Sequence, residues 1–583
     1  MAAFRIDLIG RYLRPHRRTV LFGAVALVIV NVLSVTIPLE VRRIIDELQN
    51  GFAVSDVLRQ AGWIVLLAST MAVVRLISRQ LVFGVGRQVE VDLRQKLFER
   101  MLEQEPGWVQ QTGSGEVISR ATSDVENVRR LLGFAVLSLT NTALAYAFTL
   151  PAMLAIDPGL TVAAIALYPV MLGAVRLFGG RMMRQQRRQQ EELAGLSDLI
   201  QEDLSGIAAI KIYGQETQEQ AAFGERNLRY RDSAIHLART RSTLFPLLEG
   251  ISSISLLLLL ALGSGQLERG SLTIGGLVAL ILYVERLVFP TALLGFTLNT
   301  FQTGQVSLER VEELLKREPQ ISDPITPLQP TTPARGRIEA RNLHIRYDGS
   351  NRDTLNGLSF VVEPGELVAV VGPVGCGKTT LARALGRMVT VPEGELFIDG
   401  CDVTQLRLTD LRSLIALVPQ EGYLFTSTLA DNLRYGEPSA PLEAVEAAAA
   451  EARLLDDVRG FPDGFDTLVG ERGITLSGGQ RQRTALGRAL IMASPVLVLD
   501  DALASVDNNT AAAILASVRA QRQRTILMIS HQLSAAAACD RILVIEDGEL
   551  VQQGHHSVLV EEDGAYRRLW EREQAAERLE AVA

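Results

Sequence analysis

Apolar residues gather in the first half of the chain into six long runs, roughly 19–39, 61–84, 132–155, 159–180, 245–266 and 272–298. Each holds the about 20 mostly apolar residues that a helix needs to cross a hydrocarbon core. Six runs of that length are hard to bury in a water-soluble protein, so a bundle of six membrane-crossing helices is predicted. Short polar links join the first run to the second, the third to the fourth and the fifth to the sixth. The other two links are longer, about 47 and 64 residues by the helix-length rule, polar and helical in pattern. Five arginines (Arg5, Arg11, Arg14, Arg17, Arg18) precede the first run and no small-residue cleavage site follows it, so no cleavable signal is expected. Basic flanks stay inside, which places the N-terminus, both long links and the second half of the chain in the cytoplasm. Arg42 and Arg43 then lie outside, against that bias.

Beyond the last run the pattern changes twice. Residues 316–337 carry Pro319, Pro324, Pro327, Pro330 and Pro333, which predicts an extended, semi-rigid linker between a membrane domain (1–315) and a second domain (338–583). From Ile338 onward, short β-branched runs at Glu366–Val371, Leu396–Ile398, Leu414–Val418, Val496–Leu499, Thr525–Ile529 and Ile542–Ile545 alternate with helical ones. That alternation predicts an α/β nucleotide-binding domain with a mainly parallel sheet. Charge divides the same way: residues 1–330 hold 33 basic against 31 acidic side chains, and residues 331–583 hold 25 against 35. An acidic second half argues against nucleic acid as a partner. The three cysteines (Cys376, Cys401, Cys539) form no CxxC pair, so neither a disulfide framework nor a zinc site is expected and a reducing compartment is.

The strongest chemical signal is Gly372-Pro373-Val374-Gly375-Cys376-Gly377-Lys378-Thr379-Thr380, set between a predicted strand and a predicted helix. Glycines there let successive backbone N–H groups turn toward one anion, and the helix N-terminus adds positive potential. In such a loop Lys378 reaches the β- and γ-phosphates and the Thr379 hydroxyl ligates Mg²⁺. Downstream, Val496–Leu499 is an apolar strand ending in Asp500, which suits a second Mg²⁺ ligand. Between the two lies Leu476-Ser477-Gly478-Gly479-Gln480, followed by Arg481-Gln482-Arg483.

With these motifs in this order, residues 338–570 resemble the ATPase domain of an ABC transporter, and Leu476–Gln480 is similar to that family's signature. The whole chain resembles a half-size ABC exporter: an all-α domain of six transmembrane helices fused to an α/β phosphate-loop ATPase. The resemblance implies ATP and Mg²⁺ as cofactors. It implies an adenine-stacking role for Tyr347, a γ-phosphate and Mg²⁺ sensor in Gln420, and a switch histidine in His531. It likens Ala504-Ser505-Val506-Asp507 to the loop exchanged between paired domains, and Thr467–Gly473 to the segment that couples to membrane-domain loops. Turns near 107–124 and 201–213 would carry the motion to the spans. The partner is a second half-transporter chain, with each ATP held by one chain's phosphate loop and covered by Ser477, Gly478, Gly479 and Gln480 of the other. Membrane lipids and a transported small molecule, lipid or peptide complete the implied partners.

One position departs from the family pattern. Asp501 follows Asp500 where the family has Glu, and a carboxylate one methylene shorter sits about 1 Å from its proper place, a shift that can cost roughly 100-fold in rate. The departure resembles the slow-site subunit of heterodimeric exporters; a homodimer with two slow sites, or an ATP-binding subunit that transports nothing, stays open. Arg75, Arg176, Glu249, Glu285 and Arg286 lie in or at the ends of apolar runs. Such depth suggests a cavity or a partner, with an interhelix ion pair or a snorkelling arginine the favoured reading.

Overall fold

The computed structural model describes residues 6–48, 53–347, 349–470, 473–506, 508–520 and 524–580. They form two compact units, one of Met1–Leu102 with Gly113–Arg317, the other of Glu103–Thr112 with Glu318–Ala583.

The first unit is built on six long helices: α1 (Arg17–Leu48), α2 (Val54–Leu102), α3 (Val136–Ile156), α4 (Tyr168–Ser205), α5 (Glu216–Glu268) and α6 (Ile274–Lys316). All six predicted runs fall on helices long and apolar enough to cross a membrane. The long polar links are largely extensions of the spanning helices: α2 and α5 run for 49 and 53 residues. Only 6–39% of the most apolar windows is buried within the chain, so most of that surface faces outward. Backbone groups are satisfied inside each helix, and interior hydroxyls bond back along it. Ser34 donates to the Val30 carbonyl (2.6 Å), Thr142 to that of Ser138 (2.8 Å) and Thr291 to that of Leu287 (2.7 Å). Close approach needs glycine where α6 meets the third helical segment: a Cβ on Gly304 would lie 2.9 Å from the Asn127 carbonyl oxygen. Of the two favoured readings, an ion pair or a snorkelling arginine, the first has no instance within the chain: among the described residues none of Arg75, Arg176, Glu249, Glu285 and Arg286 has a salt-bridge partner. Arg286 bonds instead to a neutral amide, Asn31 of α1.

The described residues of the second unit carry ten strands: β1 (Ile338–Ile345), β2 (Leu355–Val362), β3 (Leu367–Val371), β4 (Leu396–Ile398), β5 (Cys401–Asp402), β6 (Ile415–Val418), β7 (Val496–Asp500), β8 (Thr525–Ile529), β9 (Arg541–Glu546) and β10 (Glu549–Gly554). A mainly parallel sheet runs β10-β9-β3-β8-β7-β6, with β10 antiparallel at its edge. A second, antiparallel sheet of order β2-β1-β4-β5 was not separated out by the sequence pattern. Its main strands alternate buried and exposed positions, whereas β3, β7 and β8 are buried at every residue and stand out as continuous apolar runs. Residues 317–337 contain no helix, and Leu328 among them bridges to Leu406. Within this unit Glu105 accepts the backbone N–H of Gln320 and of Ile321.

Candidate nucleotide site

Parallel strands of one sheet end on the same edge, so β3, β8, β7 and β6 deliver four loops side by side. The loop after β3 is the glycine-rich one, and it leads into α7 (Lys378–Leu385). Gly375 and Gly377 have φ of 86° and 104°, a region that favours glycine. At Gly377 space is also closed, since a Cβ would lie 2.6 Å from the Leu355 side chain and 2.7 Å from the Thr354 carbonyl oxygen. The Lys378 ammonium folds back over this loop, donating to the carbonyls of Gly372 (2.7 Å) and Pro373 (2.9 Å). Val374 stands almost wholly exposed at the tip. Cys376 points inward instead, and burial pushes its thiol above the ordinary range despite the nearby Lys378.

Thr379 and Asp500 come together: the threonine hydroxyl donates to Asp500 Oδ1 at 3.1 Å. Burial raises the Asp500 carboxyl above its usual value, opposed by the Thr379 hydrogen bond and by Arg383 and Lys378, and reinforced by the neighbouring Asp501. A hydroxyl and a buried carboxylate at this spacing fit Mg²⁺, which takes one or two protein oxygens and leaves the rest to phosphates and water. A dedicated cage is not needed, and among the described residues no cluster of three metal-binding side chains exists. Tyr347, after β1, places its hydroxyl 3.2 Å from that of Thr380 on α7, so its ring borders the same loop.

Asp501 and His531 also meet. Asp501 adopts φ 52°, is 8% exposed, and is held by its N–H to the Ile529 carbonyl (2.9 Å). Its Oδ2 lies 2.8 Å from His531 Nδ1, and the imidazole itself is half exposed. Gln420, two residues beyond β6, is exposed at the same edge of the sheet.

Ser477, Gly478, Gly479 and Gln480 form a separate group at the start of α8 (Gly478–Leu490). Ser477 caps that helix, accepting from Gln480 N, while Gln480 Oε1 accepts from Ser477 N (2.9 Å). The Gln480 amide is fixed in turn by Asp457 (2.9 Å), which also pairs with Arg483 (2.7 Å). Among the described residues no hydrogen bond joins this group to residues 372–380. Residues 504–506 lie against α8 of their own chain: Ser505 N donates to Gln482 Oε1 at 2.8 Å. Asp507, Glu471 and Arg472 lie outside the described residues.

Two supporting residues escaped the sequence reading. Gln482 is buried and anchors Ser505, and Glu573, on the C-terminal helix α9 (Ala565–Glu580), accepts the Leu533 N–H at 2.8 Å just past His531. For Gln482 the only signal was its place beside the signature; for Glu573, 40 residues from its partner, there was none.

The family description "ABC transporter transmembrane region" matches residues 20–291, and "ABC transporter" matches residues 355–504. The chain is 32% identical over 97% of its length, and 97% of the other's, to the probable multidrug resistance ABC transporter ATP-binding/permease protein YheI of Bacillus subtilis. It is 31% identical to the ATP-dependent lipid A-core flippase of Thiobacillus denitrificans, over 96% of both. Among solved structures, that of a bacterial Atm1-family ABC exporter with ATP bound matches 96% of this chain and 98% of its own, with TM-score 0.78 and 28% identity.

Proposed function

Because the chain belongs to the ABC transporters, as a half-size exporter whose cytoplasmic ATPase domain couples ATP hydrolysis to transport, we propose that it moves a small amphipathic, lipid or peptide cargo outward by alternating access. As a half-size exporter it works, in this reading, as one half of a dimer. In this reading the chain's partner is a different half-transporter, and the chain's own ATP site is the slow one.

The proposed roles follow the geometry. Tyr347 borders the adenine. The backbone N–H groups of Gly372, Val374, Gly375, Cys376 and Gly377, with Lys378, Thr379 and Thr380, cradle the phosphates, and Pro373, which has no N–H to give, shapes the loop between them. Thr379 and Asp500 hold Mg²⁺ with Gln420 nearby, and the ion supplies charge neutralisation at the β- and γ-phosphates. Ser477, Gly478, Gly479 and Gln480 face the partner chain's nucleotide, because a capped helix N-terminus offers a second set of donors that its own loop does not use; the same role for Asp507 rests on the family resemblance alone. Nucleotide binding favours the closed pair of ATPase domains, and the segments 107–124 and 201–213, which the sequence pattern reads as turns and which fold as short helical pieces, pass that closure to the spans.

The observation that carries the slow-site reading is the Asp501–His531 contact at 2.8 Å. One carboxylate oxygen is already engaged by the imidazole, and the aspartate stem is one methylene shorter than the family's glutamate. The attacking water is therefore poorly oriented at this site, while the signature segment remains intact for the partner's. Purified alone, the chain is expected to bind ATP and hydrolyse it slowly, and membranes should yield it with a second half-transporter chain. Brisk, cooperative turnover by a homogeneous homodimer overturns the slow-site reading. Transport into inside-out vesicles that is unchanged by Lys378→Ala overturns ATP-driven export.

A further inference from the structure

We propose that Arg286, Asn31 and Arg75 form a mid-membrane site for the anionic head of an amphipath. Arg286 lies 12 residues into α6, which begins at Ile274. At 1.5 Å per residue that is about 18 Å along the helix, well inside a hydrocarbon core of about 30 Å. A guanidinium at such depth needs a counter-charge. The chain supplies only part of what it needs: Nη2 donates to Asn31 Oδ1 (2.9 Å) and more weakly to the Asn31 carbonyl (3.4 Å), both neutral. Nη1 is buried with no hydrogen-bond partner at all.

The surroundings add positive charge rather than cancel it. Arg75 on α2 lies 3.4 Å from the Met71 sulfur, which Ser34, one turn from Asn31 on α1, also reaches (3.2 Å). Asn31 is 2% exposed and oriented: its Nδ2 donates to the Leu27 carbonyl (2.9 Å) and to Asn141 Oδ1 (3.2 Å), which leaves its own Oδ1 for the guanidinium. Ser34 is occupied by the Val30 carbonyl and Met71. Glu285, beside Arg286 on α6, is exposed and pairs with neither arginine. Arg286, Asn31 and Asn141 thus meet, with Arg75 reached through Met71 and Ser34, and among the described residues no carboxylate is bonded to any of them.

An anion satisfies the free donor and both charges, and a planar carboxylate or a phosphate matches the guanidinium fork. Apolar side chains surround the cluster on the same helices, including Val73, Leu76 and Phe289, all more than half exposed. A bare inorganic ion would lose its hydration there without compensation, so the ligand carries a hydrocarbon body. Lipid headgroup and transported cargo share this chemistry. The inference deepens the export reading but is tested by binding without nucleotide, so the two fail separately.

The experiment uses the full chain in phosphatidylcholine nanodiscs, titrated with 11-(dansylamino)undecanoate and, separately, with a dansyl-tagged alkyl trimethylammonium of equal chain length. The anionic probe is expected to bind at least about tenfold more tightly than the cationic one. Arg286→Gln and Arg75→Gln should each weaken the anion about tenfold and leave the cation unchanged. Arg286→Lys, which keeps the charge without the fork, should fall between, and Arg59→Gln, paired to Asp56 at the other end of α2, should match the parent chain. Arg75→Gln, at an exposed position, keeps the test alive if the Arg286 variants do not fold. Competition by nanodiscs containing about one-third phosphatidylglycerol would identify a lipid headgroup as the ligand, and its absence a cargo anion; both outcomes support the site. Equal affinity for the two probes, or anion binding indifferent to both substitutions, overturns it. So does an Arg286→Gln variant whose only defect, by light scattering, is loss of the dimer, since the counter-charge would then be a carboxylate of the partner chain.

Discussion

The two units solve opposite solvent problems with the same residue types. In the ATPase unit β3, β7 and β8 are buried at every position, and apolar side chains from both faces of the sheet close two cores. In the membrane unit equally apolar helices leave most of their surface outward, and Leu66, Leu76, Leu177 and Leu257 are each more than half exposed. Polar groups are inverted as well. Hydroxyls in the helical unit bond back along their own helix or across to the carbonyl of a neighbouring one, as Ser78 does to Gly23 and Ser255 to Ala164, while in the sheet unit the hydroxyls of Thr379 and Ser477 stand at loop and helix starts, where a ligand or a cap uses them. Lipid makes any unpaired donor expensive, so the membrane unit spends its polar groups locally. Arg286 departs from this pattern with a charged group, its Nη1 buried and unpartnered, and for that reason it is informative.

The sharpest way to break the contrast is Lys378→Ala. ATP turnover should fall by about 10²–10³, the usual cost of deleting one donor aimed at developing charge, in a phosphate-release assay. The membrane unit should be untouched, its extraction still requiring detergent. An unchanged turnover would mean that the loop after β3 is not the hydrolytic centre.

Asp501→Glu comes next and runs in the opposite direction. Restoring the missing methylene should raise turnover of the isolated chain by up to roughly 100-fold, read as kcat with little change in KM. A loss of turnover instead would show that the 2.8 Å contact with His531 is itself the working arrangement.

A matched pair of truncations then separates the two solvents. Leu497→Ala, in the middle of β7 and fully buried, should cost about 2–5 kcal/mol and lower the melting temperature of the ATPase unit. Leu66→Ala, 55% exposed on α2, removes the same atoms from contact with lipid and should cost less than about 0.5 kcal/mol. Equal costs would contradict an outward-facing apolar surface.

The smallest expected effect concerns Asp500. Its carboxyl titrates above the ordinary range because burial outweighs the Thr379 hydrogen bond. An acid whose folded value is raised binds more protons folded than unfolded, so its charged form opposes folding at pH values above the shifted one, and the penalty is relieved as pH falls through it. Without nucleotide, Asp500→Asn should therefore raise the melting temperature slightly at neutral pH, by a margin that disappears under mildly acidic conditions. With Mg²⁺ and ATP the order should reverse, since the carboxylate then gains its counter-charge.

Much of this was legible along the chain because it depends on neighbours in sequence. A run of about 20 apolar residues has few places to go but a membrane, and a glycine-rich turn between strand and helix presents its N–H groups whatever surrounds it. The six spans, the loop at 372–380 and the capped start of α8 belong to this class. So does the Asp-for-Glu departure at 501, which is a fact of composition. What needed the tertiary structure were the pairings between distant segments: Thr379 with Asp500, Asp501 with His531, Leu533 with Glu573, and Arg286 with Asn31, 255 residues apart. Hydrogen bonds act over about 3 Å, and no local pattern records which far residue folding brings within that reach. Sequence placed an arginine within an apolar run; only the packing of α1, α2 and α6 decided that, among the described residues, no acid came to meet it.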